Sequence, residues 1–305
     1  MTVSRRRLFS IFAAAGSAAF VPGHAAQPET VVWTGTALGA DARIVIAGLS
    51  QDDAQRAARL ARNEALRLEQ AFSLYRPDSE ISRLNRDGML DGPSQDFRIL
   101  LARSLEAWTA TGGAFNPAIQ PVWSHLARHF AARPGCPPDT DALRRVLPLC
   151  DPSRISVSPS RIALAPGMAL TFNGIAQGYI TDAAARALEA HGLRDILIEL
   201  GEIYALPGKT WSIGIDGSGR RLNLSQRAVA QSAGHGTPFT ADGRWHHLID
   251  PTTGESANHY AAVTVVASSA TDADLLSTSL YVAPVERHHG ILAHFPGTET
   301  YLQAT

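Results

Sequence analysis

The sequence predicts an α+β fold, a single domain of mixed, largely antiparallel sheets layered with helices. Three observations carry this. Strand-like runs outnumber helical ones, many are joined by hairpin-length turns, and no shift of composition divides the chain after its first 26 residues. A doubly wound parallel sheet would need a crossover helix between most strands, and the pattern does not supply them. With 305 residues, 45% of them hydrophobic, the chain can bury a sizeable core. It carries no low-complexity tract, heptad or solenoid repeat.

Residues 1–26 read as an export leader. Arg5, Arg6 and Arg7 form a positive start, an apolar run extends to about Val21, and Gly23-His-Ala-Ala26 offers small residues to a peptidase. Arg6-Arg7-Leu8-Phe9 fits the twin-arginine pattern, with an arginine-rich general secretory leader as the alternative. The run is too short to span a bilayer comfortably, and no cysteine stands at the cut site for a lipid anchor. The expected organisation is a signal peptide at 1–26 and one domain at 27–305, soluble in the periplasm without stable membrane insertion after processing. Lys and Arg number 27 against 28 Asp and Glu; without the leader's three arginines the balance is 24 to 28. That balance, and the lack of a basic run with interleaved aromatics, excludes a general nucleic-acid binder. An oxidising compartment permits a disulfide between Cys136 and Cys150, but their spacing does not establish one.

In chain order, Thr30 to Ile46 reads as strand, turn, strand, with Ala37-Leu-Gly-Ala-Asp41 as the turn. Ser50 starts a helix reaching about Phe72: Ala54, Ala57, Ala58, Ala61, Leu68 and Phe72 fall at helical spacing, and Ser50 with Asp53 resembles a capping box. A polar loop with a proline and a short helix follow over Ser73–Asn85, then a helix over Phe97–Thr109 that stops at Gly112-Gly113. Residues 124–150 read as a helical insert. Strands are expected at Arg154–Val157, Ile162–Ala165, Ile196–Leu200, Trp211–Ile215, Ala228–Gln231, Trp245–Ile249, Ala262–Ala267 and Glu299–Gln303. An alanine-rich helix precedes the third of these, and a final helix covers Asp272 to about Val282.

Three segments could carry chemistry. Thr171-Phe-Asn-Gly-Ile-Ala-Gln-Gly-Tyr179 puts two glycines just before the alanine-rich helix, where free N–H groups and the helix dipole can hold an anion; a plain connection is the alternative. In Thr271-Asp-Ala-Asp-Leu-Leu-Ser-Thr278, Asp274 and Thr278 are four residues apart on one helix face. With a carbonyl from elsewhere they form an oxygen set for a hard cation such as Mg2+; the alternative is that the aspartates merely favour a helix amino end. In Trp245-His-His-Leu-Ile-Asp-Pro-Thr-Thr-Gly254 neighbouring strand residues face opposite ways, so only one of His246 and His247 can face a shared cleft. There it could move a proton or stabilise phosphate charge; otherwise it is a structural histidine. Gly-x-Ser-x-Gly, His-Glu-x-x-His and Walker patterns are absent.

With these segments in order, the chain resembles the ApbE family of FAD:protein FMN transferases. The likeness runs from about Thr34 to the carboxyl end. Its specific parts are Tyr75-Arg-Pro-Asp-Ser-Glu-Ile-Ser-Arg-Leu-Asn85, Gly112-Gly-Ala-Phe-Asn-Pro117, Asn173-Gly-Ile-Ala-Gln-Gly-Tyr179, His247-Leu-Ile-Asp-Pro-Thr-Thr-Gly254 and Ala273-Asp-Leu-Leu-Ser-Thr278. The resemblance implies an exported, Mg2+-dependent enzyme that takes FAD, transfers FMN to a Thr or Ser hydroxyl of a target protein and releases AMP. An FAD pyrophosphatase and a non-catalytic periplasmic FAD-binding protein are the competing readings.

Residue by residue, the resemblance makes Asp274, Thr278 and the Gly174 carbonyl the Mg2+ ligands. It sets Thr171 and Gln177 beside the flavin nucleotide, Tyr75, Ala114, Phe115 and Asn116 at the adenosine end, and Ile249 among the cofactor-binding residues. Leu38 stands where the family often has a methionine against the ligand. His247 matches a histidine near the pyrophosphate and is the favoured base, with Asp272 as the alternative. Asn116 replaces an Asp common in the family, Gln177 a lysine or glutamate, and Gln231 a threonine before Ser232. The implied partner is a periplasm-facing flavin acceptor, such as a membrane redox subunit or a NosR-like regulator.

Overall fold

The computed structural model describes residues 30–37 and 40–305; the expected leader and Leu38 lie outside the described residues. The chain opens with β1 (Thr30–Ala37) and β2 (Ala40–Ala47), paired antiparallel with Val32 opposite Val45. Ser50 caps α1 (Gln51–Phe72): its Oγ accepts the Asp53 N–H at 3.2 Å and donates to the Asp53 carboxylate at 2.6 Å. The alanines expected on one face of α1 are buried. Ser79 caps α2 (Glu80–Asp87) in the same way, and Gly88 ends it in the left-handed region that favours glycine.

The chain continues through β3 (Met89–Asp91), α3 (Gln95–Ala110), α4 (Gln120–Ala132), α5 (Thr140–Val146), β4 (Ser156–Val157) and β5 (Arg161–Ala163). Next come α6 (Ala176–Ala190), β6 (Ile196–Glu199), β7 (Ile203–Ala205), β8 (Trp211–Gly214), β9 (Arg221–Leu224) and β10 (Arg227–Ala233). β11 (Ala262–Ala267), α7 (Ala270–Val282), α8 (His288–Leu292) and β12 (Glu299–Gln303) complete it.

Seven strands form one sheet in the order β1-β2-β6-β7-β10-β11-β12, with every adjacent pair antiparallel. Strand alternation sorts its side chains. Ile44, Ile46, Ile196, Ile198, Val263 and Val265 face the helices; Val45, Leu197, Val229 and Val266 face the β8–β9 hairpin, which covers them with Trp211, Ile213 and Leu224. Both faces are therefore covered over the middle of the sheet, while the edge strands keep exposed side chains such as Val32 and Leu302. On the helical side Phe172 meets Phe72 and Phe97 edge-on at 5.8 and 5.3 Å between centroids, which fixes the loop before α6 from beneath. No helix among the described residues is long and apolar enough to cross a membrane.

Most expected elements appear within two residues of their expected ends. β3, β7, β9 and α8, each five residues or shorter, were not anticipated. One expectation needs correction: Trp245–Ile249 is not a strand. It makes only isolated bridges, Pro238 with His246 and Ile249 with Ser256. Its N–H groups go instead to the Ser256 hydroxyl, the Thr237 carbonyl and a ring nitrogen of His246. The two cysteines carry free thiols, Cys136 exposed and Cys150 buried, with burial pushing the Cys150 pKa up to about 11.

Candidate active site

The loop before α6 is held on both sides. The Asn85 amide donates to the Leu170 carbonyl at 2.8 Å and accepts the Leu170 N–H at 2.6 Å, while Thr171 N–H reaches the Pro117 carbonyl at 2.8 Å. Behind this loop α6 presses against α7. A Cβ on Gly178 would run into the Ala270 carbonyl and stand 2.8 Å from Thr271 Cα, so only glycine permits the approach. Asp182, one turn further along α6, accepts the Ala270 N–H at 2.7 Å, the Thr271 N–H at 2.9 Å and the Thr271 hydroxyl at 2.5 Å. A carboxylate from one helix thus caps the amino end of the other. Burial pushes its pKa up, against the opposing pull of those three donors.

This packing sets Gly174 beside Thr278 and ties Asp274 to Gly178; Gly174 and Thr278 line a cleft, whereas Asp274 does not. Asp274 is 2% exposed, and its Oδ2 accepts the Gly178 N–H at 3.1 Å. The positive end of α6 is therefore met by a carboxylate of the protein itself. A Cβ on Gly174 would lie 3.1 Å from Thr278 Oγ1. Ser232 Oγ lies 2.8 Å from Ser277 Oγ and 3.4 Å from Thr278 Oγ1, adding two hydroxyls to the cluster. Among the described residues no group of three or more His, Cys, Asp or Glu is suited to a metal. A cation here would see one carboxylate and neutral oxygens. That set suits a hard cation that completes its shell with water and phosphate oxygens, and does not suit a soft metal.

Gly174 and Thr278 open onto a cleft of about 1190 Å³, open solvent at its mouth included. Ala114, Phe115, Asn116, Thr171, His247 and Ile249 line the same cleft, so eight of the residues singled out in the sequence share one cavity. One histidine faces it and the other does not, as expected, although the segment is not a strand: His246 is 1% exposed in the core, and burial holds its pKa below the ordinary value. Asp272 does not line the cleft. It pairs with Arg103 Nη2 at 2.5 Å, tying α7 to α3.

Tyr75 and Gln177 stand apart, in a smaller depression that shares only Asn173 with the cleft. Tyr75 is 63% exposed there. Gln177 is 1% exposed with no hydrogen-bond partner for either amide atom, and Gly201 lies so close that a Cβ would stand 2.5 Å from its Nε2. A buried amide left unsatisfied costs about 1–3 kcal/mol, which fits a residue that meets a ligand's amide-like edge.

Asn116 lines the cleft, but its side chain is committed to the protein. Its Nδ2 donates to the Cys150 carbonyl at 2.9 Å and its Oδ1 accepts the Ala118 N–H at 2.8 Å. Trp123, His235 and Thr237 also line the cleft and were not singled out from sequence. Asp182 belongs with them in carrying little sequence signal, no more than an acidic residue among the alanines of α6.

Fold and cleft together define a layered α+β protein with a single-carboxylate oxygen cluster at the meeting of two helix ends. The ApbE family profile matches residues 38–302, and the chain belongs to that family. The FAD:protein FMN transferase of Treponema pallidum (strain Nichols) is 30% identical over 277 residues, covering 76% of this chain and 75% of the relative. That of Haemophilus influenzae (strain ATCC 51907 / DSM 11121 / KW20 / Rd) is 30% identical over 234 residues, covering 69% and 68%. The crystal structure of the Pseudomonas stutzeri flavinyl transferase ApbE in its apo form superposes with a TM-score of 0.77 at 26% identity, covering 90% of this chain and 91% of that one.

Proposed function

We propose that the protein is an exported, Mg2+-dependent FAD:protein FMN transferase. One observation supports the reading: Gly174, Thr278 and His247 line one cleft, and Asp274, buried behind it, accepts the N–H of Gly178 at the start of the helix that follows Gly174. The names of the relatives support the reaction class.

The Asp274 carboxylate, Thr278 hydroxyl and Gly174 carbonyl would hold Mg2+, which when bound supplies charge neutralisation to the pyrophosphate. The target's Thr or Ser oxygen attacks the FMN phosphorus, the bond from that phosphorus to the AMP phosphate oxygen breaks, and AMP leaves. Such a transfer needs positioning more than covalent help from the enzyme. His247 accepts the hydroxyl proton; Asp272, neutralised by Arg103, is poorly placed to do so. Ala114 and Phe115, on the cleft wall, and Tyr75 are assigned to the adenosine end; Thr171 and Gln177 are assigned to the flavin nucleotide, and Ile249 to the same ligand surface. Leu38 is assigned to the same ligand surface from the family pattern.

Residues 1–26 are read as a twin-arginine leader and 27–305 as the mature periplasmic enzyme. The acceptor is a periplasm-facing protein, with a membrane redox subunit or a NosR-like regulator as the class to try first. Replacing Arg6 and Arg7 by lysine should block delivery to the periplasm; undiminished delivery would indicate a general secretory leader.

The direct test is to incubate the mature protein with FAD, Mg2+ and a candidate acceptor and to weigh the acceptor. A mass gain equal to FMN less water is expected. Free FMN with an unlabelled acceptor would instead indicate hydrolysis, and unchanged FAD would indicate binding alone. Asp274→Ala should abolish turnover, and full activity in that variant would count against the cation site.

A further inference from the structure

We propose that His246 is a positioning residue for His247. The inference rests on the reading above, in which His247 accepts a proton in the cleft. His246 Nδ1 accepts the Leu248 N–H at 3.2 Å, so the residue before His247 holds the residue after it. His246 is itself anchored twice to Ser256: its N–H donates to Ser256 Oγ, and that hydroxyl donates to the His246 carbonyl, each at 2.7 Å. The His247 N–H reaches the Thr237 carbonyl at 3.2 Å. With no strand ladder over Trp245–Ile249, these bonds are what orient the His247 backbone.

The buried imidazole also touches the other cleft walls. Its ring meets Tyr281 at 5.8 Å and 80°, on the helix that carries Asp274 and Thr278. Tyr281 OH accepts the Gly234 N–H at 3.1 Å, at the start of the turn whose His235 and Gly236 line the cleft. A Cβ on Gly234 would stand 2.6 Å from His246 Cδ2 and 2.8 Å from Tyr281 OH, so this contact leaves no slack. Accepting a hydrogen bond at Nδ1 requires the neutral ring protonated at Nε2. Burial lowers its pKa, which favours that neutral ring.

Two substitutions separate positioning from simple packing. Asparagine places an acceptor oxygen where Nδ1 stands, whereas glutamine places it one bond further out. His246→Asn should keep kcat within about threefold of the unsubstituted enzyme, and His246→Gln and His246→Leu should lower it about 10- to 100-fold with little change in KM for FAD. In a His247→Ala background His246→Gln should add no further loss. Equal activity of the Asn and Gln variants, an undiminished rate in a folded His246→Leu, or an added loss in the His247→Ala background would each overturn the proposal. The failure of the underlying reading looks different: His247→Ala alone would then turn over FAD at the full rate.

Discussion

Gly178 donates its N–H to the Asp274 carboxylate at 3.1 Å, and it can do so because it has no side chain to hold α6 away from α7. One close approach both places the carboxylate and sets the distance from Gly174 to Thr278. Gly178→Ala should force the helices apart, at a cost of about 1–3 kcal/mol in urea unfolding from overpacking. Its Mg2+-dependent turnover of FAD should fall with the loss of ligand geometry. A variant with unchanged stability and turnover would show that the approach is not needed.

Asp182 makes the same helix pair stable from the other side. Asp182→Ala would leave the Ala270 and Thr271 N–H groups and the Thr271 hydroxyl without their acceptor. We expect a loss of about 3 kcal/mol, read from chemical denaturation, since buried donors left unmet cost more than the bonds contribute. Asp182→Asn keeps one acceptor oxygen but loses the charge facing the α7 dipole, and should fall between the two. Equal stability of all three forms would remove the cap from the account.

How much of this was legible follows from range. α1 could be read because its cap, Ser50 with Asp53, and its alanine stripe lie within one helix. The cation cluster was legible in part, because Asp274 and Thr278 share a helix face. Its partner across the fold was legible only through the family pattern around Gly174. Nothing local shows that Asp182 will cap a helix nearly ninety residues away, or that Asn116 will turn from the cleft toward Cys150. The Trp245–Ile249 run has strand composition, but side-chain acceptors at Ser256 and His246 take the bonds a ladder would use. Tyr75 and Gln177 were grouped with the other ligand positions, and only the folded chain separates their depression from the main cleft.

Glu199 gives the stability of the fold a pH signature. It stands opposite Arg43 across β2 and β6, and burial pushes its pKa from 4.5 up to about 7 even though the Arg43 charge pulls it down. In the folded chain it therefore keeps its proton over a range where the unfolded chain has lost it. The resulting stability is full below about pH 4.5 and is lost as pH rises through about 7. Glu199→Gln cannot ionise, so between those limits its stability should fall less than that of the unsubstituted protein, by on the order of 2 kcal/mol. Denaturation curves at matched pH values for both proteins would show the divergence, and parallel curves would refute it.

The Asn116 amide ties the cleft wall to the segment carrying α4 and α5, donating to the Cys150 carbonyl and accepting from Ala118 N–H. Aspartate has the same shape and can still accept from Ala118, but it has no proton to give and would set its charge against the carbonyl oxygen of Cys150. Asn116→Asp should thus lose the first bond while keeping the second, costing about 1–3 kcal/mol. The loss should be local: amide exchange ought to quicken over residues 119–151 and stay unchanged in the main sheet. KM for FAD should rise, because Ile119 and Trp123 of the loosened segment line the cleft, while kcat changes little because Asp274 and His247 belong to other segments. Asn116→Ala distinguishes the two bonds, since it loses both and should loosen the turn at Ala118 as well. If Asn116→Asp leaves exchange over 119–151 unaltered, the amide is not the tie that holds this wall.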